Sequence, residues 1–149
     1  NAYSKQGIGC WSHYKFDSLF KNYGKLYNWF AVNDKRGLAP KGWHIPSDQE
    51  WSILINNLGG AVTAGEALKK EMEWEKTITS KDIGFEAMPS GAFSNPDGFI
   101  GIGEICFWWS TSQSNKELAW CRSISKGSNN VERTEIEKSS GLSTRAIKD

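Results

Sequence analysis

Two histidines and three cysteines have the most chemical reach in this 149-residue chain. His13 and His44 stand far apart, and neither accompanies a nucleophile motif, so no Ser/His/Asp arrangement can be built on them. His44 lies between Trp43 and Ile45, where a hydrogen-bonded core or loop role fits better than a general base. No catalytic residue is therefore named. Cys10, Cys106 and Cys121 form an odd set, enough for one bridge and one leftover thiol. No CxxC or mixed Cys/His cluster occurs, which argues against a zinc site, and no metal or other cofactor is implied. A third set is aromatic: Trp108, Trp109 and Trp120. Alternation along a strand sends Trp108 and Trp109 to opposite faces. A tryptophan left exposed beside Asn and Asp side chains would anchor a sugar or a protein.

The elements that must position these residues are centred on Gly42-Trp43-His44-Ile45-Pro46-Ser47-Asp48-Gln49-Glu50-Trp51. Ser47 and Glu50 have capping-box spacing: the hydroxyl accepts from the N3 amide, and the carboxylate reaches back to the cap amide. Trp51, Leu54, Ile55 and Leu58 recur at i, i+3, i+4 and i+7, one apolar helical face. Gly59 is placed to leave the helix in the left-handed conformation. A helix over 48–58 follows. A second capping box at Thr63 and Glu66 predicts another helix, lined by Ala64, Ala67, Leu68 and Met72 and giving way near Glu73. Residues 1–22 read as irregular, with a helical turn near 17–21. The bulk of Leu26, Tyr27, Trp29, Phe30 and Val32 predicts a strand over 23–32.

Residues 77–104 are dominated by Gly, Ser, Pro, Asn and Asp and read as one long loop, the kind that is usually functional or mobile. An antiparallel pair is predicted over 105–111 and 118–125, and two last strands over 130–136 and 142–148. With the turn centred on Gln113-Ser114, Cys106 falls opposite Cys121, and a cross-strand disulfide can form.

Composition narrows the function classes. Eighteen Lys and Arg against seventeen Asp and Glu leave a net charge of +1, with no basic stripe. Nucleic acid is not an expected partner. No apolar run is long enough to span a bilayer. The chain opens at Asn1 rather than Met, so an export leader could have been removed. Eight tryptophans with fifteen glycines suit an irregular, loop-heavy fold, or a surface that stacks on sugars, with core packing the commoner use of any one tryptophan. The length fits one domain.

Tyr23-Gly24-Lys25-Leu26-Tyr27-Asn28-Trp29-Phe30, Arg36-Gly37-Leu38-Ala39-Pro40-Lys41, the Trp43–Trp51 motif, Leu58-Gly59-Gly60 and Leu68-Lys69 occur in that order. Together they closely resemble the Fibrobacter succinogenes major paralogous domain, over roughly residues 23–149. That resemblance implies an α+β domain of C-type-lectin-like fold, two helices on short twisted antiparallel strands with long loops, common on bacterial cell surfaces. The Pro-Ser-x-x-Glu-Trp core also resembles the formylglycine-generating enzymes, which bind copper through a close cysteine pair; Cys106 and Cys121 are not closely spaced in sequence. Calcium lectins of this fold carry an X-Pro-acid triplet. Asn95-Pro96-Asp97 keeps that shape, while Trp-Asn-Asp is absent. With Glu104, Asn95 and Asp97 are the nameable oxygen donors, fewer than the six to eight that calcium takes. Asn-Pro-Asp-Gly is also a good β-turn.

In the family the unit matching Trp109-Ser110 is structural, which leaves Trp108 as the tryptophan expected to be exposed, with the placement of Trp120 left open. Family members commonly end Ser-Val-Arg-Cys, where this chain has Ser143-Thr144-Arg145-Ala146, in keeping with Cys10 as the leftover thiol. The family's opening strand pattern is not visible in residues 1–22, so the C-terminal edge is expected either to accept a strand from a partner or to pair with residues 2–8. The expected function is non-enzymatic ligand binding or adhesion by a secreted, lipoprotein-type or surface-anchored bacterial protein. Carbohydrate or protein is the ligand, and Trp108, Trp120, Asn95, Asp97 and Glu104 are the candidate contacts. The alternatives are an assembly subunit of a surface appendage and a formylglycine-generating-type oxidoreductase.

Overall fold

The capping box at Ser47 forms as its spacing predicts, in a computed structural model that describes residues 7–12, 23–69, 74 and 83–149. The Ser47 Oγ accepts from the Glu50 amide at 3.3 Å, and Glu50 Oε2 accepts from the Ser47 amide at 2.8 Å. Helix α2 (Asp48–Asn57) runs from that cap, and Gly59 leaves it at φ +96°. Trp51 and Ile55 are buried, with Leu54 and Leu58 partly buried against the same cluster.

Two shorter helices flank α2. The strand predicted over 23–32 is instead a two-residue strand, β2 (Leu26–Tyr27), followed by helix α1 (Trp29–Val32). Asn28 makes that break: its Oδ1 accepts from the Ala31 amide at 3.0 Å and starts the helix. The same Oδ1 accepts from the Cys10 amide, and Nδ2 donates to the Ile8 carbonyl, so one side chain ties the lead-in to the helix. Helix α3 (Ala64–Leu68) starts where predicted, but Thr63 makes no side-chain cap bond, because its backbone is already helical at φ −119°, ψ −24°. Ala64 and Leu68 are buried as read. Met72, Glu73 and the turn near 17–21 lie outside the described residues.

The chain is mixed α+β, with several small antiparallel sheets. Within the lead-in, β1 (Trp11–Ser12) pairs with β2, so this stretch is not wholly irregular. Residues 92–100 hold a hairpin of β4 (Ala92–Ser94) and β5 (Gly98–Ile100) inside the stretch read as loop. The largest sheet is a meander of β6 (Ile105–Gln113), β7 (Leu118–Ser125) and β8 (Val131–Glu137).

The strand predicted over 142–148 is divided. Its first part, 142–143, is bridged to Tyr27 and Trp108, and Gly141 just before it to Phe93. Its last part is β9 (Ile147–Lys148), paired with β3 (Trp43–His44) at the entry to α2. The C-terminal segment thus finds ladder partners within this chain at both places. Of residues 2–8, the other expected partner, 2–6 lie outside the described residues, and Gly7 and Ile8 are in no strand.

Buried side chains gather on both faces of the β6–β7 pair. One cluster holds Trp51, Leu68, Cys106, Trp108 and Ile124 beneath α2 and α3; the other holds Trp29, Trp109, Cys121 and Leu142 beneath α1. Among the described residues no helix is long and apolar enough to cross a membrane.

Candidate functional site

Alternation along β6 does send Trp108 and Trp109 to opposite faces, yet both are fully buried. The expectation that Trp108 is exposed fails because helices cover the sheet on both sides. Trp108 packs against Trp51, with centroids 5.8 Å apart, and edge-on to Phe85 at 5.4 Å. Its indole nitrogen is buried and has no hydrogen-bond partner among the described residues. By contrast, the indoles of Trp29, Trp51 and Trp109 donate to the carbonyls of Ser110, Trp109 and Tyr27 at 3.0, 3.2 and 2.8 Å.

Trp120 is half-buried beneath the Arg133 guanidinium, which stacks 3.3 Å from its ring centroid. Arg133 also pairs with Asp48 at 2.9 Å, and Asp48 pairs with the buried Arg122. Burial pushes the Asp48 pKa up, but hydrogen bonds from Arg133 and Arg122, with their charges, outweigh it and hold the carboxyl below its usual range. The Arg122 Nη2 donates to the Asp48 carbonyl and to Ser52 Oγ, so this network fastens the start of α2 to β7 and β8. One face of Trp120 is thereby occupied.

Asn95, Pro96 and Asp97 are exposed at the β4–β5 tip, where the sequence reads as a turn. Glu104 is exposed at the opposite end of the β6–β7 hairpin, ion-paired with Lys126 at 3.3 Å. A nine-residue strand spans roughly 25–30 Å, so Glu104 does not join Asn95 and Asp97. The five candidate residues are not one site.

Asn95 and Pro96 do enter a groove. It holds about 710 Å³ and is lined also by Phe30, Lys116, Glu117, Leu118, Glu137, Lys138 and Ser139. The loop at 114–117 forms one wall, shaped by Asn115 Oδ1 accepting from the amides of Glu117 and Leu118 at 2.8 and 2.9 Å. Lys138 is buried; its Nζ donates to Gln113 Oε1 and to the Asn115 and Lys116 carbonyls at 2.8, 2.8 and 3.1 Å. With all three donors used and the charge 4.5 Å over the Trp29 ring, Lys138 braces the groove. The side chains of Asn95 and Glu117 carry no hydrogen bond or ion pair among the described residues. Residues 114–117 and Lys138 are not visible as site residues in the sequence, because a polar turn and one lysine look like any solvated loop.

The predicted cysteine bridge is not formed. All three cysteines are free. The register pairs Cys106 with Ile124, and Cys121 with Trp109, because the turn is longer than two residues and the strands shift between Trp109 and Gln113. Cys106 and Cys121 fall in the two separate clusters, on opposite faces of the sheet. Burial raises both thiol pKa values to about 11.

His44 is held between two carboxylates. Nδ1 is 2.7 Å from Asp149 Oδ1, and Nε2 is 2.8 Å from Glu50 Oε1. The hydrogen bonds to Asp149 and then Glu50 raise the His44 pKa, while bonds from the Ser47 amide, the Ser47 hydroxyl and His44 lower that of Glu50 to about 2. This fits the hydrogen-bonded role read for His44, since both ring nitrogens are engaged. Among the described residues no three His, Cys, Asp or Glu side chains gather as a metal site.

Small paired sheets around a tryptophan-pinned core, with an open polar groove at one end, describe a class of loop-built α+β domains. The chain belongs to the Fibrobacter succinogenes major domain family, whose pattern matches residues 4–148 and so reaches further back than 23. No curated protein and no solved structure matches the chain.

Proposed function

We propose that the domain is a non-enzymatic ligand-binding module of a secreted or surface-anchored bacterial protein, C-type-lectin-like in fold, with carbohydrate as its ligand. The observation that carries the reading is the groove beside the β4–β5 tip. It sets an unengaged amide (Asn95) and an unengaged carboxylate (Glu117) near a second carboxylate (Glu137) and an aromatic ring (Phe30). Sugars are held by such hydroxyl-bonding groups combined with an apolar ring face, and the volume falls in the range of roughly 300–1,000 Å³ common for ligand sites. The lectin-like fold is supported by the long helix α2 and the short α3 against the β6–β8 meander, with looped connections on either side. The placement of Cys106 and Cys121 on opposite faces gives no support to a copper-binding cysteine pair.

A glycan array run in calcium and again in chelator, with wild type, Asn95→Ala and Glu117→Gln, tests this. Selective glycan binding that both substitutions weaken is the expected result. The reading is overturned by an array with no selective signal, or by binding indifferent to both substitutions. Capture of one fixed protein partner with no glycan signal would turn it toward assembly.

A further inference from the structure

A second cavity lies between α2 and the C-terminal segment, away from the groove. It holds about 490 Å³, and its walls include Trp51, Ile53, Leu54, Phe85, Glu50 and Arg145. The lining is largely apolar, and Ile53 stands half-exposed at 53%. Among its described lining residues two side chains are charged, Glu50 and Arg145, and they differ in how they are engaged.

Both Glu50 carboxylate oxygens are taken, Oε1 by His44 and Oε2 by the Ser47 amide and hydroxyl. Arg145 is held much more loosely. Nη2 donates to the Phe85 and Glu86 carbonyls at 3.4 and 3.5 Å, and Nη1 to the Thr144 carbonyl at 3.4 Å. All three contacts are at the long limit of a hydrogen bond. The guanidinium lies 5.0 Å over the Phe85 ring. Among the described residues no carboxylate is within ion-pair distance of it; Glu86 acts on its charge only from further off. Burial lowers the Arg145 pKa, as it does for a cation short of compensating charge.

A guanidinium with donors to spare, set in an apolar wall, favours an occupant with an anionic head and an apolar body. Planar carboxylate is the group that a guanidinium fork grips at two points. The cavity's size, and one available cation among its described lining residues, fit a small molecule.

We propose that this cavity binds a small amphipathic carboxylate, with its apolar body against Trp51, Leu54 and Phe85 and its carboxylate on Arg145. The site is separate from the groove proposed for carbohydrate, and either can fail without the other.

Calorimetric titration of the 149-residue chain with indole-3-propionate, its neutral amide and tryptamine tests the proposal. Indole-3-propionate should bind saturably with unit stoichiometry, the amide about tenfold more weakly for the lost ionic contact, and tryptamine not measurably. Arg145→Gln should erase the preference for acid over amide. Because Arg145→Gln can perturb folding, Ile53→Glu serves as a second variant: the residue is half-exposed, and a negative charge at the cavity wall should weaken the acid and spare the amide. No saturable binding overturns the proposal, as does acid binding unchanged in both variants. A peptide ending in an apolar residue that binds more than tenfold tighter than the free acid would overturn the small-molecule assignment.

Discussion

Trp29, Trp51 and Trp109 are each used at two ends, an apolar body in a cluster and an N–H on a distant carbonyl. Trp29 reaches Ser110, Trp51 reaches the Trp109 carbonyl, and Trp109 reaches Tyr27. Where loops outweigh long strands, such bonds join segments that no continuous ladder connects. Trp108 departs from this pattern, since its N–H is buried without a partner among the described residues. Burying an unmet donor forfeits a bond of about 1 kcal/mol and its desolvation as well. Trp51→Phe and Trp108→Phe remove the same atoms from the same cluster, but only the first also loses a hydrogen bond. Trp51→Phe should therefore cost about 1 kcal/mol more than Trp108→Phe in denaturant-midpoint measurements. Trp51→Ala should cost about 3–5 kcal/mol. Equal losses for the two Phe variants would remove the distinction drawn between the indoles. Composition foretold that most tryptophans would be core, but not that Trp108 would be, because burial there depends on helices arriving on both faces of β6.

At the scale of elements, helix α2 was legible because everything that specifies it is local. Cap, apolar face and glycine stop lie within residues 47–59 and agree with one another. Helix α1 was not, since Trp29-Phe30-Ala31-Val32 has strand-forming bulk, and one capping bond from Asn28 reverses its meaning. What ties α2 to β9 is non-local, and it makes stability depend on pH. The His44 pKa is raised in the fold by Asp149 and Glu50, so folding favours the protonated ring. Its contribution is complete below the unfolded value of about 6.5 and fades as pH rises through the folded value. Glu50 has the opposite sign: its contribution is present above about 4.5 and lost as pH falls toward 2. Thermal midpoints from pH 3 to pH 9 should show His44→Gln furthest below wild type near pH 5.5, with the gap narrowing in more alkaline solution. A gap constant across that range would leave the imidazolium no role in holding β9.

A second prediction at this scale concerns the α3 start. A Cβ on Gly65 would sit 2.6 Å from the Asn129 carbonyl oxygen, whose bond to the Gly65 amide docks the helix on the turn before β8. Gly65→Ala gains helix propensity of about 1 kcal/mol, but the contact is with backbone, which cannot swing aside. Net destabilisation of about 1–3 kcal/mol is expected in urea unfolding, against little change for the exposed Glu66→Ala. A stabilised Gly65→Ala would show that α3 is free to move away from Asn129.

For the molecule as a whole, the decisive quantity is the register of one hairpin. A slip of one residue exchanges the two faces of a strand. The turn read at Gln113-Ser114 places Cys106 and Cys121 on one face. The longer loop at 114–117, with the irregularity after Trp109, places them in separate clusters instead. The strands themselves were readable from β-forming runs, whereas loop length and bulge were not, because polar residues such as Ser112, Ser114 and Asn115 fit either turn. Thiol chemistry reads this register out directly. Cys106 and Cys121 are fully buried with pKa values near 11, while Cys10 is only partly covered, though burial raises its pKa too. Reaction follows the exposed thiolate. In native, unreduced protein at pH 8, Cys10 should react first with an aromatic disulfide reagent, and the other two should wait on unfolding. In guanidinium without reductant the count should rise to three. A count of one under those denaturing conditions, rising to three only after reduction, would mean that two cysteines are bonded and that the β6–β7 register differs from the one that places Trp108 and Trp109 in opposite cores.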